Sequence, residues 1–204
     1  IFGGTKLKVE NSFIDYFKTS TEIHRGMKVI DKDLGGTTLL DVTLDFDDEV
    51  KLQSEEIMEE DEFDDIFEEF DEVSNDPKYW FTRDKMQKIE SLHNYLDSLE
   101  HTGTVLSFAT ILKIGRALNN GNDLDSVQLG LLYEKLTDEY KEIILTPYIS
   151  TEYNQAKITL RVRDSDPSLR RNLLINKIKS EAFKVIEVEA DKIKLSNILI
   201  LYNN

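Results

Sequence analysis

The stretch Ile30-Asp31-Lys32-Asp33-Leu34-Gly35-Gly36-Thr37-Thr38-Leu39-Leu40-Asp41-Val42-Thr43-Leu44-Asp45-Phe46 decides how the chain reads. Gly35 stands where a helix places its left-handed terminal residue, because glycine has no Cβ to clash there. Beyond it Leu40, Val42, Leu44 and Phe46 alternate with Asp41, Thr43 and Asp45. That period of two belongs to a half-buried strand. Upstream, Ser20 or Thr21 caps a helix reaching about Leu34, with Glu22 in its first turn. Ile23, Met27, Ile30 and Leu34 fall at helical spacing and form its predicted inner face. The unit is therefore a helix, a glycine stop and a core strand.

The segment after that strand is acidic. From Asp47 to Glu72 there are 15 acids and one base, Lys51, a net of −14, while the whole chain carries −15. The remainder holds 25 acids and 24 bases, so the rest is close to neutral and one segment bears the charge. A nucleic-acid partner is excluded, since phosphate binding needs a basic surface. Phe63, Ile66, Phe67 and Phe70 lie at i, i+3, i+4 and i+7 inside this run, one apolar stripe of a helix. Like charges at i, i+4 cost only a few tenths of a kcal/mol per pair. Burial of each phenylalanine returns about 1.5–3 kcal/mol. The pattern thus predicts a docked acidic helix over about 59–73, within an insertion of about 47–81.

Tyr79-Trp80-Phe81 comes just after the turn at Pro77 and is expected to anchor the insertion to the core. Thr82 caps a predicted helix Arg83–Leu99 with Met86, Ile89, Leu92, Leu96 and Leu99 inward. After Gly103-Thr104-Val105-Leu106, Ser107 caps another, carrying Phe108, Ile111, Leu112, Gly115 and Leu118 on one side. Asn119-Asn120-Gly121-Asn122 breaks it. A single helix is expected from Asp125 or Ser126 to near Pro147, with Leu129, Leu132, Leu136, Tyr140 and Ile143 inward. Ala156, Ile158, Leu160 and Val162 then alternate with Lys157, Thr159, Arg161 and Arg163, the clearest strand of the chain. Its basic outer face is expected to meet Asp41 and Asp45. Ser165-Asp166-Pro167 reads as a helix start, with Leu169, Leu173, Ile178 and Ala182 buried. A short strand is expected at Val185–Val188, then an apolar segment from Lys194 to Tyr202.

The chemistry-bearing residues are sparse. With no cysteine and three scattered histidines, His24, His93 and His101, there is no disulfide, no thiolate metal site and no converging imidazole set. No nucleophile stands in a pattern with a base, so the reading is of a non-enzymatic protein without cofactor or metal. No apolar run reaches the roughly 20 residues that span a bilayer. A chain that begins with Ile1 and ends in Leu199-Ile200-Leu201-Tyr202-Asn203-Asn204 reads as a piece of a longer one.

The order of these elements resembles the first extracytoplasmic loop of RND-superfamily exporters of the MMPL and hopanoid-exporter type. The residues that carry the likeness are Phe13 to Phe17, Leu34-Gly35-Gly36 with the strand after it, Gly103-Thr104-Val105-Leu106-Ser107, and Ala156–Asp166. The acidic insertion has no counterpart. The resemblance implies an α+β fold: one periplasmic porter domain over 1–204, with a ferredoxin-like βαβ core, extra helices and the acidic helical insertion. It implies a bacterial inner-membrane protein whose partners are its own membrane helices, a second periplasmic domain and a hydrophobic or lipid-like transported substrate, and it leaves room for a homo-oligomer. It also implies that both ends of the chain lie together. The competing reading is a stand-alone acidic interaction module built on the 59–73 helix. The partner or substrate surface is expected at Phe63, Phe67, Phe70, Tyr79, Trp80 and Phe81.

Overall fold

The computed structural model describes residues 12–47 and 77–201, apart from the side chains of Phe13 and Leu201. Seven helices and five strands succeed one another in these segments. They are α1 (Glu22–Asp33), β1 (Thr38–Asp45), α2 (Arg83–Asp97), β2 (Thr102–Leu106), α3 (Phe108–Leu118), α4 (Ser126–Lys135), α5 (Asp138–Ile144), β3 (Ile149–Ser150), β4 (Gln155–Val162), α6 (Arg171–Val185), β5 (Ile193–Ser196) and α7 (Ile198–Leu201). The fold is α+β. Its antiparallel sheet runs β2-β4-β1-β5, and β3 adds to β4. Two strand–helix–strand passes, β1-α2-β2 and β4-α6-β5, in that strand order are the connectivity of a ferredoxin-like fold.

The chain divides into two compact units. Of the described residues, the first holds 12–43, 91–106 and 158–201, and the second 44–47, 77–90 and 107–157. In the first, the even-numbered side chains of β1 and β4 (Leu40, Val42, Ile158, Leu160 and Val162) are fully buried. Leu92 and Leu96 of α2 and Ile178 and Ala182 of α6 join them in the core. A Tyr95–Glu181 hydrogen bond of 3.1 Å ties these two helices side by side. Burial alternates without a break along both central strands, as their period-two sequences require. β2 pairs antiparallel with β4 through Val105 opposite Leu160 and Leu106 opposite Thr159.

The glycine stop behaves as its position demands. Gly35 and Gly36 take φ of 82° and 125°. At Gly36 any Cβ would collide with the Val162 carbonyl, and at Gly103 with the Gly35 carbonyl. Backbone therefore packs on backbone here, where no side chain fits.

α1 corrects the predicted inner face. Its cap is Thr21, whose hydroxyl accepts from the His24 N–H at 3.2 Å. The buried residues are His24 and Asp31, while Ile23, Ile30 and Leu34 are exposed. The reason is a polar joint. Asp31 Oδ1 accepts from Thr37 N (2.9 Å), Thr37 Oγ1 (2.8 Å) and Asp164 N (3.1 Å), and Oδ2 from Ser165 N (3.0 Å) and Ser165 Oγ (2.5 Å). Five hydrogen bonds to one carboxylate outweigh the apolar stripe in setting the helix's rotation.

The same joint moves the next helix. Ser165 is spent on Asp31, and Asp166 Oδ1 accepts from Ser168 N and Oγ at 2.9 and 2.6 Å. Neither caps a helix at Pro167, so α6 starts at Arg171 instead. Its buried side carries Leu174, Ile175, Ile178 and Ala182, and Leu173, expected inside, is exposed. The short strand expected at Val185–Val188 is the end of α6 and a turn with Glu187 at φ 54°. The strand that completes the sheet is β5 instead.

The second unit is built on an aromatic core. Trp80 meets Phe46 and Phe81 edge-on at centroid distances of 5.6 and 5.3 Å, and Phe81 lies 5.7 Å from Phe108. Met86, Ile89, Leu129, Leu145 and Ile149 complete it. The single helix expected over 126–147 is two. α4 closes at Leu136, in extended backbone, and Thr137-Asp138-Glu139 restarts the chain as α5. A threonine followed by two acids is itself a helix-start signal. Tyr140 and Ile143, expected inward, are exposed.

Candidate functional site

The residues expected to form a surface separate. Phe63, Phe67 and Phe70, with the acidic helix expected over 59–73, lie outside the described residues. Trp80 and Phe81 are buried in the aromatic core and offer no surface. Trp80 Nε1 donates to Asn154 Oδ1 at 2.9 Å, which satisfies its one polar atom inside that core. Of the triplet only Tyr79 is exposed, with the Lys78 ammonium 5.1 Å from its ring centre.

A concave feature of the second unit lies elsewhere. A cleft of about 280 Å³ opens between the N-terminal half of α2, the C-terminal half of α3 and the turn leading into α4. Met86, Leu112, Leu124 and Leu129 supply its apolar lining. Its charged wall is one three-residue network. Arg116 donates from Nη1 and Nη2 to the two oxygens of Glu90 at 3.0 and 2.8 Å, and from Nε to Asp123 Oδ1 at 2.6 Å. The Glu90 bridge comes first in holding the guanidinium well above its ordinary value, and Asp123 adds to it. The group is a fixed cation.

The turn that closes the cleft is organised from within. Asn120 and Gly121 take φ of 54° and 85°. The Asn119 side-chain amide donates to the carbonyls of Asn122 (3.2 Å) and Asp123 (3.4 Å). Asp125 and Gln128 then form a reciprocal capping box at the start of α4. Gly115 faces Leu124, where a Cβ would come within 2.8 Å of Leu124 Cδ1. At the mouth stands Arg83. Its backbone N–H is bonded to Ser126 Oγ at 3.3 Å, and its guanidinium has no partner among the described residues.

None of these cleft residues forms a motif in the sequence. Glu90 and Arg116 are 26 residues apart, on different helices. The one hint is Gly115, since a glycine inside an apolar helix stripe marks a close approach.

The first unit holds the other polar cluster. Beside the Asp31 joint, Asp164 accepts from Arg171 Nε at 2.9 Å and from Ser12 Oγ at 3.0 Å, all three residues being buried. His101 Nδ1 lies 3.1 Å from Asp166 Oδ2. Asp166 sits below the usual carboxylate range because the Ser168 hydroxyl and N–H bond to it, with His101 contributing less. The partners of these groups are satisfied protein atoms, so the cluster is a structural joint. Among the described residues no three His, Asp or Glu side chains converge as metal ligands, and no helix is long and apolar enough to cross a membrane. The chain matches no protein-family model, no curated protein and no solved structure.

Proposed function

We propose that this chain is the periplasmic porter domain of a proton-driven RND-superfamily exporter of the MMPL or hopanoid-exporter type, acting on hydrophobic or amphiphilic molecules. In this reading it carries no catalytic step. It shapes a path for the substrate, while membrane helices and a second periplasmic domain of the same transporter do the rest.

One observation carries the reading: the described chain enters and leaves the first unit at the same end of the sheet's strands. Ser12 is bonded to Asp164, just past the C-terminal end of β4. β5, antiparallel to β1 as β4 is, delivers the chain into α7 at that same end. A domain looped out between two membrane helices needs this arrangement, because both ends return to one membrane face.

The parent reading frame provides the test. Spans of about 20 apolar residues are expected within a short distance on both sides of the chain. Alkaline phosphatase inserted at an exposed loop of the full-length parent is expected to be active in cells, as export requires. Absence of both spans, or an inactive reporter with an active cytoplasmic one, overturns the proposal.

A further inference from the structure

We infer that the exposed flank of α4 carrying Val127 and Leu131, with Tyr79 beside it, is the docking surface for residues 59–73 of this same chain, which lay Phe63, Ile66, Phe67 and Phe70 along it. This docking lies within the second unit and does not depend on the exporter reading.

Half of that flank is already in use. Val127, Gly130, Leu131 and Glu134 stand at i, i+3, i+4 and i+7, one row along α4. Two of the four hold the point where the chain returns from its acidic stretch. A Cβ at Gly130 would meet the Lys78 carbonyl at 3.4 Å, and Lys78 Nζ donates to Glu134 Oε1 at 3.0 Å. The other two face solvent, Val127 being 80% exposed and Leu131 49%. Tyr79 is also exposed and extends the patch, its ring centre 5.1 Å from the Lys78 ammonium. A single exposed apolar side chain needs no explanation. Three grouped at the point of re-entry mark a surface that something covers.

Chain length selects the occupant. Residues 48–76 leave after Asp47 and return at Pro77, and one side chain holds both ends. Asn154 donates to the carbonyls of Phe46 (3.3 Å) and Asp47 (3.0 Å) and accepts from Trp80 Nε1 (2.9 Å). Four residue steps separate Val73 from Pro77, a reach of about 14 Å at most. The end of the apolar stripe is therefore tethered beside the α4 flank, at an effective concentration on the order of millimolar. The two rows also agree in length. Seven residues run from Phe63 to Phe70 and seven from Val127 to Glu134, about 10 Å each as helix.

Charge agrees with this placement. The Arg83 N–H on Ser126 Oγ sets Arg83 at the Val127 end of the row, and its guanidinium has no ion pair among the described residues. Glu59-Glu60-Asp61-Glu62 precede Phe63 and come to that end when Phe70 lies by Tyr79. A guanidinium fork there pairs with a carboxylate. With its stripe on α4, the stretch turns only acids outward and is not free to fill the apolar groove of a separate partner.

Hydrogen exchange of the full chain, read by mass spectrometry, tests the docking. Amides of 59–73 are expected to exchange about tenfold or more slowly than an unstructured chain does. Val127→Asp with Leu131→Asp is expected to return them to unstructured rates while the amides of α4 keep their protection. Phe67→Ser with Phe70→Ser leaves α4 untouched and is expected to have the same effect. Unstructured rates for 59–73 in the wild type overturn the docking. Protection retained in either double variant overturns it too, because the stripe then lies elsewhere. Protection lost on about hundredfold dilution also overturns it and assigns the flank to a second copy of the chain.

Discussion

Asp31 is a carboxylate nearly sealed from water, and it is charged. Burial raises its pKa, but the hydrogen bonds from Ser165 and Thr37 prevail and hold it below the ordinary 3.8. A carboxyl group whose folded value lies below its unfolded one contributes stability that is complete above about pH 5. That contribution is lost as pH falls through the folded value. Asp31→Asn keeps the shape and removes the charge, so it is expected to cost about 2 kcal/mol at pH 7. Urea titrations of the wild type and the variant at pH 7 and in the acid range should converge as pH falls. A constant gap would show that charge is not what the joint uses. Gly103 acts through geometry instead. Gly103→Ala drives a methyl group into the Gly35 backbone, and an expected loss of about 3 kcal/mol or more would appear as a lowered urea midpoint.

Among the helices, α1 and α6 show how far a periodic pattern carries. In α1 the buried face is turned from the expected one; in α6 Ile178 and Ala182 are buried as expected, and Leu174 takes the inward place expected of Leu173. Leu174→Ala is expected to cost about 2–4 kcal/mol, as a large-to-small change in a packed core does. Leu173→Gln and Ile23→Gln are expected to stay within about 0.5 kcal/mol of wild type. Thermal unfolding of the three variants tests the rotation of both helices directly. Equal losses at Leu173 and Leu174 would mean that α6 sits as its raw pattern suggested. β1 and β4 leave no such freedom, because a strand has only two faces and one of them is apolar.

Taken whole, the molecule carries −15, nearly all of it between Asp47 and Glu72. Self-repulsion on that scale opposes the compact state and is screened by salt. Raising NaCl from about 0.05 to about 0.5 M is expected to lift the melting temperature by about 3–5 °C. A variant with the acids of 48–72 changed to Asn and Gln should lose most of this dependence. An unchanged salt response in that variant would place the repulsion elsewhere.

The chain by itself determined its local grammar. It placed the left-handed stop at Gly35, a cap at Ser107, caps within one residue of Thr21 and Asp125, and the inward residues of β1 and β4. Each depends on neighbours a few residues away, within reach of steric and periodic rules. Only the tertiary structure decided the rest. Asp31 meets Asp164 across 133 residues, and that meeting turns α1, delays α6 and leaves Ile23, Ile30 and Leu34 facing out. The predicted arginine partners of Asp41 gave way to Thr159 and Asn197 for the same reason, while Arg161 donates to the Gly36 carbonyl. The cleft exists only because α2 and α3 bring Glu90, Arg116 and Arg83 together. Polar partners distant in sequence outcompete a local apolar stripe once they meet in space, and no pattern read along the chain records who will meet whom.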